Sequence, residues 1–132
     1  MQPKTTLTIA SVIGLIFSFA MFLAPEFVTR EQFPNSEGQG FADLVTLRYA
    51  IASIILALVI ISYHLRDITG HAFQIHVMRG YTLAFGVVCI TNLALQLTGK
   101  ISAVPPIVGT GVIAVLSLLT WRRLVSRTKE EA

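Results

Sequence analysis

Apolar residues run along this chain in long unbroken blocks. They show neither the strict alternation of a half-buried strand nor the single stripe of a soluble amphipathic helix. A helix rising 1.5 Å per residue needs about 20 apolar residues to cross a bilayer core of ~30 Å. Four blocks meet that requirement. Residues 5–24 carry no charge, and residues 44–63 are interrupted only by Arg48. Residues 80–98 form the third block, which residues 72–79 prolong toward its start, so the span is placed at about 76–98. Residues 103–121 form the fourth. Strands of a membrane barrel alternate lipid-facing and lumen-facing residues, and continuous runs exclude that class. The pattern predicts an all-α protein: one integral membrane domain over residues 1–132, a bundle of four antiparallel transmembrane helices. The first block is longer than the apolar region of a usual signal peptide and reads as a retained helix.

The breakers between blocks set the connections. Pro25 ends the first helix, and residues 34–40 (Pro-Asn-Ser-Glu-Gly-Gln-Gly) are rich in turn formers. The outer loop, residues 25–43, is the longest connection, and Phe27, Val28 and Phe33 suggest a segment lying back on the bundle. Residues 66–70 and 99–102 are short links, so successive helices are expected to be antiparallel neighbours. Pro105 and Pro106 fall in the first turn of the fourth helix, where a missing donor matters least.

Composition agrees with the pattern. Hydrophobic residues make up 54% and charged residues 13%, against roughly 45–50% and ~25% in soluble domains. A small globule could not hide that much apolar surface. The net charge of +3 gains meaning from its placement. Lys4, Arg66, Arg122, Arg123, Arg127 and Lys129 lie on the side of the two termini, and only Arg30 and Lys100 lie in the opposite loops. This imbalance predicts that both termini, including the tail of residues 122–132, are cytoplasmic. Trp121 fits an interfacial aromatic belt, and the basic tail suits acidic lipid headgroups. No basic patch on a soluble domain points to nucleic acid. Cys89, the one cysteine, sits in an apolar run and reads as an inert small hydrophobe.

Intramembrane polar groups are the candidate chemistry. Arg48 lies about one turn below the outer boundary of its block, and Asn92 and Gln96, four residues apart on one helix face, reach similar depth. Ser18 and Thr110 fall in the same slab. One reading is an outward-opening pocket in which Arg48 receives an anion and Asn92 and Gln96 fix it. In the other, Arg48 snorkels to headgroups or pairs with Asp43 or Glu37, and the amides simply join helices. Arg79, at the inner boundary, is expected to snorkel. His64, His71 and His76 cluster near Asp67, but their spacing gives no convergent metal set. No catalytic, nucleotide or cofactor motif is present. Small residues four apart mark close packing: Gly14 with Ser18, Ser53 with Ala57, Thr82 with Gly86, and Thr110 with Ala114.

Three short stretches, Phe-Leu-Ala-Pro-Glu-Phe at 22–27, Leu-Val-Thr-Leu-Arg-Tyr-Ala at 44–50 and Met-Arg-Gly-Tyr at 78–81, carry a family likeness. In them the chain resembles uncharacterised four-helix bacterial membrane proteins of the DoxX-like and related unknown-function families. The resemblance implies a four-helix bundle in a bacterial inner membrane and specifies no activity. Three functional readings stand. The first is a non-enzymatic homo-oligomer or accessory subunit of a membrane complex. The second is a transporter or channel protomer using Arg48 for an anion. The third is an enzyme on a lipophilic substrate, with Glu26, Asp43, His76 or Tyr81 as acid–base groups.

Overall fold

The computed structural model describes residues 2–130, with side chains through Thr128; the side chain of Lys129, counted among the inner cations, lies outside the described residues. Five helices follow in order: α1 (Pro3–Leu23), α2 (Pro25–Gln32), α3 (Gly38–Leu65), α4 (His71–Leu97) and α5 (Val104–Glu130). There is no strand among the described residues. Four of the five, all but α2, are long and apolar enough to cross a membrane.

Local chemistry sets the ends of these helices. Pro3 opens α1 in the first turn, where its missing N–H is no loss, and Pro25 does the same for α2 immediately after α1 stops. Glu26 in the first turn of α2 and Arg30 in its last turn suit the helix dipole. Gly38 opens α3 at φ +59°, and Gly99 follows α4 at φ +69°, both conformations that disfavour a side chain. At the end of α4 the Gly99 and Lys100 amides reach back to the carbonyls of Gln96 and Leu95. That is the usual way a left-handed glycine satisfies the last turn.

Two boundaries differ from expectation. The outer loop contains α2, and α3 begins inside the turn-rich segment, so Arg48 is ten residues into its helix. At 1.5 Å per residue that is roughly 15 Å from the start of the helix, although it is still about one turn from the start of the apolar block. The other difference is at the tail, where α5 continues through Glu130 well past the last apolar residue.

Packing follows the small residues. A Cβ on Gly14 would stand 2.5 Å from Val59 Cγ2, so α1 and α3 touch there backbone to side chain. Ser18 donates to the carbonyl of Ala52 at 2.9 Å along the same seam. Gly109 receives the ring of Phe17, and a Cβ there would lie 2.5 Å from Phe17 Cε2, which joins α1 to α5. Thr6 and Thr120 share a buried hydroxyl–hydroxyl bond of 2.7 Å at the other end of that seam. Cys89 Sγ lies against Ile107 and Gly111, joining α4 to α5. The resulting side-by-side order is α3, α1, α5, α4.

Chain neighbours are therefore not always packing neighbours. α3 and α4 follow one another in sequence, yet they meet near their shared loop, where the hydroxyls of Ser62 and Tyr81 hydrogen bond. The reason is that the close-approach positions Gly14, Gly109 and Gly111 all lie on the other three seams. The end that carries the start of α1 and the end of α5 holds the apolar core of Leu7, Met78 and Leu124, with Leu65, Ile75 and Trp121 packed around it. Arg79 lies 6.0 Å over the Trp121 ring beside this core.

Candidate functional site

Buried positions on α3 recur as Arg48, Ala52, Val59 and Ser62. That spacing is a single helical face, and it is the face turned to α1. Arg48 is only 5% exposed on this face, enclosed under α2 rather than extended to the surface. Its Nε donates to Thr29 Oγ1 at 3.2 Å, and its guanidinium carbon stands 5.5 Å from the centre of the Phe33 ring. Thr29, itself fully buried, hands its own proton to the Pro25 carbonyl at 2.8 Å, leaving its oxygen free to accept from Arg48. The short helix α2 thus lies across the outer part of α3 and contributes the arginine's one hydrogen-bond acceptor among the described residues.

The remaining charge balance is unusual. Arg48 Nη2 is buried with no partner, and no carboxylate lies within ion-pair distance among the described residues. Asp43, named with Glu37 as a possible partner, accepts from Gln39 at 2.8 Å. A buried guanidinium normally has an anion or several carbonyls around it, because removal from water is otherwise expensive. The arrangement is electrostatically incomplete and suits an acceptor from outside the chain.

The other polar residues named with Arg48 divide into two groups. Ser18 shares the α1–α3 seam, one turn from Arg48, through its bond to Ala52. Asn92, Gln96 and Thr110 lie on α4 and α5. Asn92 donates to Val88 in its own helix at 2.9 Å, and Thr110 donates to Pro106 in its own helix at 2.6 Å. Gln96 Oε1 accepts the Ala103 amide at 3.3 Å, closing the link between α4 and α5. No hydrogen bond among the described residues joins Asn92, Gln96 or Thr110 to Arg48.

Sequence reasoning named Phe33 only as part of a segment lying back on the bundle, and it passed over Thr29 and the tie between Ser102 and α2, in which the Ser102 amide donates to the Gln32 carbonyl at 2.9 Å. The available signal was the amphipathic run from Pro25 to Phe33, with its proline start and its dipole-matched charges. At the end holding the link from α3 to α4, His71 Nε2 lies 2.9 Å from Thr128 Oγ1, and His64 packs edge-on to Tyr63. No group of three His, Cys, Asp or Glu side chains gathers among the described residues. No family model, curated protein or solved structure matches the chain.

Proposed function

We propose that this chain is a non-enzymatic membrane subunit that assembles through its third helix with further copies of itself. Its four apolar helices would form an antiparallel bundle in a bacterial inner membrane, with both termini cytoplasmic. The six-to-two bias of loop cations supports that direction. The seams pairing Thr6 with Thr120 and Phe17 with Gly109 support the antiparallel course.

One observation carries the assembly reading. Thr46, Ala50, Ser53 and Ala57 lie on one face of α3, and all four are exposed. Small side chains at helical spacing let a second backbone approach closely, and in lipid such approach is a main source of helix association. Inside the bundle the chain uses that device at Gly14 and Gly109; on α3 the same device faces outward. The test is disulfide trapping in native membranes, with Ser53→Cys placed in a Cys89→Ser background. A dimer that Ala57→Phe abolishes is expected. A yield no greater than that of Val115→Cys, on the exposed face of α5, sinks the reading. A trapped product of another mass assigns the face to a different membrane subunit.

A second reading is favoured by the unpartnered Nη2 of Arg48: a protomer that takes an anion at that position. It predicts anion flux in liposomes that Arg48→Gln abolishes while the helical content and assembly persist. Flux unchanged by the substitution, or no flux from the native chain, removes it.

A further inference from the structure

The end of the bundle with the start of α1 and the end of α5 carries a second concentration of charge, built differently from Arg48. A cleft of about 490 Å³ opens there between the start of α1, the link from α3 to α4, and the end of α5. Lys4, Arg66, Arg123 and Arg127 line it, and among the described residues Asp67 is the one carboxylate on its walls. Asp67 is engaged by Lys4 at 2.9 Å and by Arg66 at 3.4 Å. Arg66 is held from behind, its guanidinium carbon 3.6 Å from the centre of the Tyr63 ring. Arg123 and Arg127, four residues apart, share one face of α5 and are exposed on the same side of the cleft.

The backbone adds donors. α4 starts at the rim with His71, and neither it nor α1 has an acidic residue in its first turn or a side-chain cap. Both helices therefore bring uncapped amides to the same region, where the C-terminal ends of α3 and α5 offset their dipoles, so the side-chain cations carry the net positive field. Among the described residues four cations face one carboxylate at this cleft, a balance that suits an anion, and planar guanidinium groups match the oxygens of phosphate.

We propose that this cleft binds a phosphate group, carried either by an anionic phospholipid headgroup or as free phosphate. Its position favours the lipid. An apolar crevice lined by Leu7, Leu65, Phe73 and Val77 adjoins the cleft and shares Pro3, Ile68 and Gln74 with it. A headgroup phosphate in the cleft leaves its acyl chains over the outside of that crevice, which at about 10 Å³ is too small to take them in. This goes beyond general attraction of a basic tail to acidic lipid, because it assigns different roles to adjacent arginines. Arg123 lines the cleft, whereas Arg122, with the same charge and one residue away, does not.

That difference is the test. Protein in neutral detergent is titrated with phosphatidylglycerol or phosphatidylcholine and the retained lipid is counted by native mass spectrometry. Inorganic phosphate is titrated separately by calorimetry. Generic surface attraction is worth about 1 kcal/mol per cation, or roughly fivefold. Arg122→Gln should lose no more than that, while Arg123→Gln and Arg127→Gln each lose about tenfold or more in phosphatidylglycerol retention. Phosphatidylcholine should bind more weakly, since its choline cation meets four others. Binding of inorganic phosphate alone, with the same dependence on Arg123, assigns the cleft to free phosphate. Equal losses for Arg122→Gln and Arg123→Gln with every probe overturn the proposal. Helical content by circular dichroism confirms that the variants remain folded.

Discussion

Glycine has two different meanings along these helices, and the difference is measurable residue by residue. At Gly14 a methyl group would enter the space of Val59 Cγ2, and Val59 is itself buried and β-branched, with little freedom to move aside. At Gly86 nothing stands within 4 Å of the same hypothetical atom. Alanine is the better helix former by about 1 kcal/mol, whereas overpacking a tight seam costs about 1–3 kcal/mol. Gly14→Ala is therefore expected to lower the thermal unfolding midpoint in neutral detergent, and Gly86→Ala to leave it unchanged or raise it. Equal effects would mean that the α1–α3 seam is looser than its geometry. The sequence flagged both glycines through four-residue spacing, but spacing does not reveal which seam is occupied. Arg48 was legible for a different reason: a lone charge within an apolar run is anomalous whatever the neighbours. Its acceptor was not legible, because Thr29 sits nineteen positions earlier and an amphipathic run does not say which neighbour it will cover.

At the level of the element, α2 is held less by its own propensity than by what it covers. Eight residues form too short a helix to persist alone in water. Thr29 is its buried anchor, and the Ser102 amide ties its last residue to the link between α4 and α5. Thr29→Val keeps the shape but removes the acceptor of Arg48 Nε, leaving more of a buried guanidinium without partners. Loss of such a bond to a charged group costs about 1–3 kcal/mol. Hydrogen exchange should show faster opening across residues 25–32, with α1 and α4 protected as before; unchanged protection would mean that α2 is held by its apolar contacts alone. The long elements were legible in their middles and not at their ends. Apolar runs reveal the length embedded in lipid, whereas helix ends follow caps and dihedral preferences. Hence α3 starts at Gly38 among turn formers, and α5 runs on through the basic tail.

For the whole molecule, the order α3, α1, α5, α4 leaves the end with the start of α1 and the end of α5 as the place where all four long helices converge. Lys4 belongs to the first turn of α1 and Asp67 to the link between α3 and α4, so their pair ties the first helix to that link. The hydrogen bond from Lys4 is the strongest influence on Asp67; together with its charge and the weaker contribution of Arg66, it holds the carboxyl below the ordinary range. A carboxyl depressed in the folded state contributes stability above its unfolded pKa of about 3.9. That contribution is lost as pH falls through the lower folded value. Both partners are largely exposed, so salt should weaken the tie and its share of stability is small. Carboxyl-carbon NMR should find Asp67 titrating below the usual value, and Lys4→Met should move it upward. The same carboxylate competes with any phosphate for Lys4 and Arg66. Asp67→Asn should therefore raise affinity in the phosphate or phosphatidylglycerol titration, and acidification should act in the same direction while the phosphate keeps its charge. A fall in affinity on Asp67→Asn would instead make the carboxylate the group that positions the two cations. Its pairing with Lys4 and Arg66 would then be a precondition of the cleft rather than a rival to its ligand.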